Sequence, residues 1–305
     1  MRFWLSVGCA ALAPLVMAAS RPVRLNPSSP WDIDYAENSC RLLRKFGDGK
    51  TQVMLQLESD APGDTDMLAI GRPLESSGEK VSARFLPVGG KTFEGKVART
   101  TTDDAPAILW SRVYLEPDEL IEQEQRESAA RDAREQSRPP PINLEEQARR
   151  RSQRQQFAQA ATELEIQTRR DHPVILETGS MGDPIKMFDQ CARESLKDWG
   201  VDPDLEDKIV RPAWAPAPYR WFSADDYPAD MARRGEESVV QVRLLVDASG
   251  KVTKCTSLSD FKEAKFNQIT CAVIMKRAHF EPAELADGTK VPSYYTQRVV
   301  FSMGH

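Results

Sequence analysis

Residues 31 to 116 are organised by short apolar runs of period two. In Gln52-Val53-Met54-Leu55-Gln56-Leu57-Glu58, the side chains of Val53, Leu55 and Leu57 fall on one face, the alternation of a half-buried β-strand. Cys40 to Phe46 forms a similar run before the turn Gly47-Asp48-Gly49, and others follow at Met67 to Gly71, Lys80 to Leu86, Lys91 to Arg99 and Ala107 to Val113. Gly, Pro, Asp and Ser separate them, as strand-connecting turns require. The pattern then changes. From Asp118 to Arg170 the chain is dense in Glu, Gln, Ala and Arg, broken only by Arg138-Pro139-Pro140-Pro141. Prolines cannot donate helix hydrogen bonds, so two helical stretches are predicted, the second from Leu144 to Arg170. Its sparse apolar positions, Phe157, Leu164 and Ile166, predict a helix riding on the surface or partly detached.

Order resumes at Val174-Ile175-Leu176, a buried strand closed by Gly179. Asp183-Pro184 is a helix-start signal, with Asp as N-cap and Pro in the first helical position. The helix runs through Phe188, Cys191 and Trp199 to Gly200, which fits a C-cap. Four prolines (Pro203, Pro212, Pro216, Pro218) make 201–222 read as a stiff linker, with docking of Trp214 and Tyr219 onto a neighbour as the alternative. From Ser223 the order is legible: a short helix to Arg234, a hairpin of Val239–Val246 and Lys251–Thr256 across Asp247-Ala248-Ser249-Gly250, a helix over Phe261–His279, and a last strand over Tyr294–Ser302. The predicted class is α+β. A β-rich N-terminal domain (31–200) carries a closing helix and an Arg/Glu-rich helical insertion (118–172), and an α-β-β-α-β domain follows (223–305).

Charge and composition narrow the function. The 305 residues carry a net charge of -5, and the 118–172 insertion holds 12 acids against 10 arginines, so no basic surface for nucleic acid is expected. Arg2 followed by an apolar run from Leu5 to Met17 reads as a signal peptide (1–19), cleaved to start at Ala19 or Ser20. About 13 apolar residues span only about 20 Å as a helix, short of the roughly 30 Å of a bilayer's hydrocarbon, so no stable membrane anchor is expected. Loss of Cys9 with the signal leaves Cys40, Cys191, Cys255 and Cys271 in an exported chain, where disulfides persist. Three pairings are open. His172, His279 and His305 lie far apart, and no Cys-x-x-Cys occurs, so no metal and no cofactor are expected. Ser180 and His172 sit in no nucleophile motif, so no catalytic residue is assigned and the chain is not read as an enzyme.

The C-terminal residues carry a specific resemblance. Tyr227-Pro228, Ala232, Gly235, Val240, Val242, Val246-Asp247, Gly250-Lys251-Val252, Phe280-Glu281-Pro282-Ala283, Asp287-Gly288, Val291-Pro292 and Val299-Val300-Phe301 together resemble the TonB C-terminal domain pattern. The match spans about the last eighty residues. Ser238, Leu258-Ser259-Asp260 and Phe266-Asn267 depart from it in turns and in the helix. The whole chain also resembles exported "energy transducer TonB" proteins of alphaproteobacteria. The family's fold implies that Cys255, ending the second strand, bridges to Cys271 on the sheet-facing side of the helix, leaving Cys40 for Cys191.

The resemblance also implies a function. In this family a segment of an outer-membrane transporter adds beside the domain's last strand, giving β-augmentation. Carried onto this sequence, the partner-binding edge is Tyr294-Tyr295-Thr296-Gln297-Arg298-Val299, with Tyr295, Gln297 or Arg298 facing outward to tune specificity. The reverse expectation is that this strand only completes the sheet, its edge covered by the N-terminal domain or by a second copy. The sequence lacks the long Pro-Glu/Pro-Lys spacer of a force transmitter, which favours a non-catalytic periplasmic adaptor with a protein partner, such as an outer-membrane TonB-dependent transporter. A membrane-anchored energy transducer and a cell-envelope scaffold remain the alternatives.

Overall fold

The computed structural model describes residues 22–303 except 77, 79, 89–90, 101–103, 112, 114, 133–137, 169–171 and 259–263. The signal-peptide segment 1–19 lies outside the described residues.

Alternation gives the N-terminal half its sheet. Ten strands run β1 (Val23–Leu25), β2 (Asp32–Tyr35), β3 (Cys40–Phe46), β4 (Val53–Ser59), β5 (Asp66–Ile70), β6 (Lys80–Leu86), β7 (Phe93–Arg99), β8 (Pro106–Trp110), β9 (Glu163–Gln167) and β10 (Val174–Leu176). Their order in one sheet is β1-β10-β9-β6-β7-β8-β5-β4-β3-β2. Every pairing is antiparallel except β1 with β10. The sheet curls back on itself. The chain just after β1 pairs with the end of β3, where the Ser28 amide donates to the Lys45 carbonyl and the Gly47 amide to that of Asn26 (both 2.8 Å). Val53, Leu55 and Leu57 point into the enclosed core, as their period predicts. Trp110 crosses the same core above Gly95, where a Cβ would come within 2.6–2.7 Å of the indole.

The charged insertion departs from expectation. Helices α1 (Asp118–Asp132) and α2 (Leu144–Ala160) form, the second capped by Asn143, whose side chain accepts from the amides of Glu145 and Glu146. The helix expected over Leu144 to Arg170 therefore stops ten residues early. Glu163-Leu164-Glu165-Ile166-Gln167 is β9, and Leu164 and Ile166 are fully buried strand residues instead of part of a weak helical stripe. The period-two alternation wins because it offers two core contacts that a mixed-charge helix would leave in water. Nor is α2 detached: Phe157 and Ala158 are buried in the core shared with the next helix.

That helix, α3 (Gly182–Trp199), packs on the sheet through Ile185, Phe188 and Ala192. It begins with Met181 at the N-cap and without a side-chain cap, so Asp183 lies in the first turn and is not the cap. Gly200, at φ +84, ends it as expected. A disulfide from Cys191 to Cys40 (Cα–Cα 6.0 Å) ties α3 to β3.

The segment 201–222, expected as a linker, is structured against the C-terminal residues. It forms α4 (Pro203–Glu206) and β11 (Ile209–Arg211). Trp214 exchanges backbone hydrogen bonds with Glu281 (3.0 and 2.8 Å), while Ala213, Ala215 and Trp221 are buried in the C-terminal core. The expected α-β-β-α-β order follows as α5 (Ala229–Arg234), β12 (Ser238–Val246), β13 (Val252–Ser257), α6 (Ala264–Arg277) and β16 (Ser293–Phe301). Two short strands between α6 and β16, β14 (Ala283–Leu285) and β15 (Lys290–Val291), join β11 in a sheet of order β11-β14-β15. Residues 138–142 cross this small sheet. Arg138 donates to Glu284 (2.8 Å) and to the Pro282 carbonyl (2.6 Å), and the Ile142 amide donates to the Val210 carbonyl (2.7 Å).

Candidate partner-binding edge

The C-terminal three-stranded sheet has the order β13-β12-β16, with α6 against one face. β16 pairs with β12 over nine residues, from Ser238↔Phe301 to Val246↔Ser293. Among the described residues, no strand pairs with its other side, so β16 is an edge strand whose outward backbone is a template for one more strand. After Ser293, its residues Tyr294, Tyr295 and Thr296 are aromatic or β-branched, as a pleated, half-buried surface favours.

Two staples hold the frame behind this edge. Cys255 of β13 bonds Cys271 of α6 (Cα–Cα 5.5 Å). At the C-terminal end of α6, Arg277 grips Asp226 with two bonds (2.6 and 3.0 Å) and donates to the Trp221 carbonyl (2.8 Å). The guanidinium holds the Asp226 carboxyl below its usual range. In the β12–β13 turn, the Asp247 carboxylate accepts from the Ser249 hydroxyl and from the amides of Ser249 and Lys251, which lowers its pKa as well.

The six residues of the expected edge divide between the two faces of the sheet. Tyr295, expected to face outward, lies on the α6 side and packs on Phe280 with ring centroids 5.0 Å apart. Strand alternation dictates this, since Val299 and Phe301 on the same face are core residues. Gln297 shares that face by parity, opposite Val242, and its amide nitrogen donates to the Arg298 carbonyl (2.8 Å). On the opposite face stand Tyr294, Thr296 and Arg298, across from Leu245, Arg243 and Gln241. Arg298 is exposed, and Val300, beyond the expected window, is exposed to 62%.

The leading end of the second face is covered by the N-terminal half of the chain. Trp199 packs edge-on against Tyr294 with centroids 5.5 Å apart, and Ala61, Leu196 and Val201 complete a small apolar cluster with Leu245. Arg243, only 4% exposed, lies over the Trp199 ring. It donates to the carbonyls of Asn38 (3.1 Å) and Asp60 (3.2 Å) and to the Asn38 side chain (3.2 Å). Burial lowers its pKa to about 10, so it stays charged at neutral pH. Burial raises Asp60 to about 7, with Glu58 and Asp66 adding to the rise and Arg243 opposing it. Glu206 also reaches about 7 through burial, although its carboxylate accepts from the Ser293 hydroxyl (2.9 Å). The Tyr294 phenol is raised by burial and by the nearby Glu206 and Asp64.

Sequence reasoning missed Arg243, Trp199, Asn38 and Asp60. Arg243 sits in an apolar strand at an outward position, which reads as solvated, and nothing local to it reveals partners about two hundred residues upstream.

Among the described residues, no group of three or more His, Cys, Asp and Glu is placed to hold a metal ion. No described helix is long and apolar enough to cross a membrane. No curated protein matches the chain. Residues 223–303 match the family model of the Gram-negative bacterial TonB protein C-terminal, the family whose pattern runs here from Tyr227-Pro228 to Val299-Val300-Phe301.

Proposed function

We propose that this protein is a non-catalytic periplasmic adaptor that takes up an extended segment of a protein partner beside β16. The partner class is an outer-membrane TonB-dependent transporter. One observation carries the reading: among the described residues, β16 is bonded to β12 along its whole length and to no strand on its outer side, and residues 223–303 match the TonB C-terminal family. Backbone groups of the edge supply affinity, and the half-buried and exposed side chains of Thr296, Gln297 and Arg298 select the partner. With 11 acidic and 11 basic residues from Ser223 on, the domain is electrically balanced, so association owes little to long-range steering.

The test is a titration of the full chain, followed by amide NMR, with synthetic peptides copying the short extended segment of such transporters. Progressive shifts confined to Tyr294–Val299 and their β12 neighbours are expected. Unmoved amides at millimolar peptide would remove the β-augmentation reading.

A further inference from the structure

The edge strand is held by two different parts of the molecule. Its trailing residues, Val299 and Phe301, belong to the core of the C-terminal domain. Of its leading residues, Tyr295 packs on the same core, but Ser293 and Tyr294 do not. Tyr294 rests on Trp199, Ser293 bonds Glu206, and the strand behind them is pinned through Arg243 to Asn38 and Asp60. Trp199 thus touches both strands at once, β12 at Arg243 and β16 at Tyr294, two positions on one face of the sheet.

Resting on the partner-strand reading of β16, we propose that Trp199 and Arg243 are positioning residues for partner binding. They hold Tyr294 to Thr296 in the extended form that an incoming strand must pair with, and make the N-terminal half of the chain part of the recognition apparatus. Neither residue touches the partner. The argument is one of preorganisation: an edge strand already fixed along its length spares the complex the entropy of ordering it, and that saving appears as affinity. Arginine suits the task. Its planar guanidinium sends donors in several directions while its face lies on the indole, which a lysine does not reproduce. Here three bonds and one stacked ring converge on a single side chain, and none of the three acceptors is a carboxylate.

The experiment uses the full chain and the transporter-derived peptide described above. Trp199→Leu and Arg243→Met are expected to weaken binding roughly tenfold, mainly through faster dissociation. In the same variants, hydrogen exchange is expected to accelerate at Tyr294–Thr296 while Val299–Phe301 keep their protection. Trp199→Phe, which keeps a ring between Arg243 and Tyr294, should restore most of the affinity. Gly95→Ala serves as the control for mere destabilisation: it strains the N-terminal sheet under Trp110 and should leave affinity unchanged. If Trp199→Leu does not fold, Arg243→Lys carries the test with an intermediate loss. Wild-type affinity in the Trp199 and Arg243 variants, or an equal loss in Gly95→Ala, overturns the positioning role alone. A wild-type chain that binds no peptide removes the edge reading and this inference with it.

Discussion

The guanidinium carbon of Arg243 lies 3.5 Å from the ring centroid of Trp199, within a surface where both residues are nearly fully buried. The contact joins a strand of the C-terminal sheet to the last turn of α3, so its energetics decide whether the two halves of the chain behave as one. Arg243→Ala leaves the Asn38 and Asp60 carbonyls without their donor and opens a gap beside the indole. Each buried acceptor left unpaired costs about 1–3 kcal/mol. Arg243→Met fills the gap and should cost less than Arg243→Ala; urea unfolding of the two variants measures the difference.

Stability should fall as pH rises through neutrality. Asp60 and Glu206 both titrate at about 7, raised by burial at this interface. Asp60 faces Glu58, Asp64, Asp66 and Arg243, while Glu206 faces Ser293 and Asp207. A carboxyl whose folded pKa is raised binds its proton more tightly in the folded state. Its contribution is complete below the unfolded pKa, about 4, and is lost as pH rises through about 7. The urea midpoint is therefore expected to drop between about pH 5 and about pH 8. Asp60→Asn with Glu206→Gln should flatten that slope, and an unchanged slope would refute the assignment. The lowered carboxyls, Asp226 and Asp247 among them, act in the opposite sense and only in more acidic solution.

The two disulfides should differ in accessibility and in effect. Cys40 and Cys191 are buried, while Cys255 and Cys271 are half-buried. A mild reductant is expected to open Cys255–Cys271 first, read by alkylation and mass spectrometry. The loop-entropy relation gives about 3 kcal/mol for the 16-residue separation and nearer 5 kcal/mol for the 151-residue one. Replacing Cys40 and Cys191 by alanine should be the more damaging pair of changes.

Gly250 has no tolerable substitute. It holds φ +87, and a Cβ there would stand 2.0 Å from the Phe280 carbonyl oxygen, which is backbone and cannot rotate away. The same turn bonds the Phe280 amide to the Gly250 carbonyl (3.1 Å). Gly250→Ala should cost at least about 2 kcal/mol, visible as a lowered Tm.

Arg138 should govern the insertion. Its side chain is 13% exposed and reaches Glu281 (3.3 Å) and Glu284 (2.8 Å). Arg138→Ala is expected to release residues 138–142 from the small sheet, and proteolysis between α1 and α2 should accelerate severalfold. Unchanged cleavage would show that the Ile142–Val210 bond suffices.

Strand alternation made most of the two sheets legible, because period two and the turn residues agree from Cys40 to Trp110 and again from Ser238 to Phe301. The sequence signal for α2 runs past its true end because Glu, Gln and Arg are strong helix formers and mask a five-residue alternation at Glu163–Gln167. β14 and β15, of three and two residues, are too short to show a period. β11 hid among prolines that also read as linker. The disulfide partners followed from the family resemblance and match the observed bonds. Of the three edge residues expected to face outward, Arg298 is exposed, Gln297 is half-buried and Tyr295 belongs to the core side. Parity along β16 was available to show that, since Val299 and Phe301 are apolar at the same spacing.

The crossing of residues 138–142 over β11 bears on how the protein can be dissected. A recombinant fragment begun at Ser223 keeps the family-matched residues but deletes β11, Trp214 and the Arg138 strap. It strips the cover from Ala283 and Val291 and unpairs one side of β14. The border drawn by family matching is therefore not a border of cooperativity. Unfolding of the intact chain is expected to register as a single calorimetric transition, with excess enthalpy that no sum of separately expressed halves reproduces.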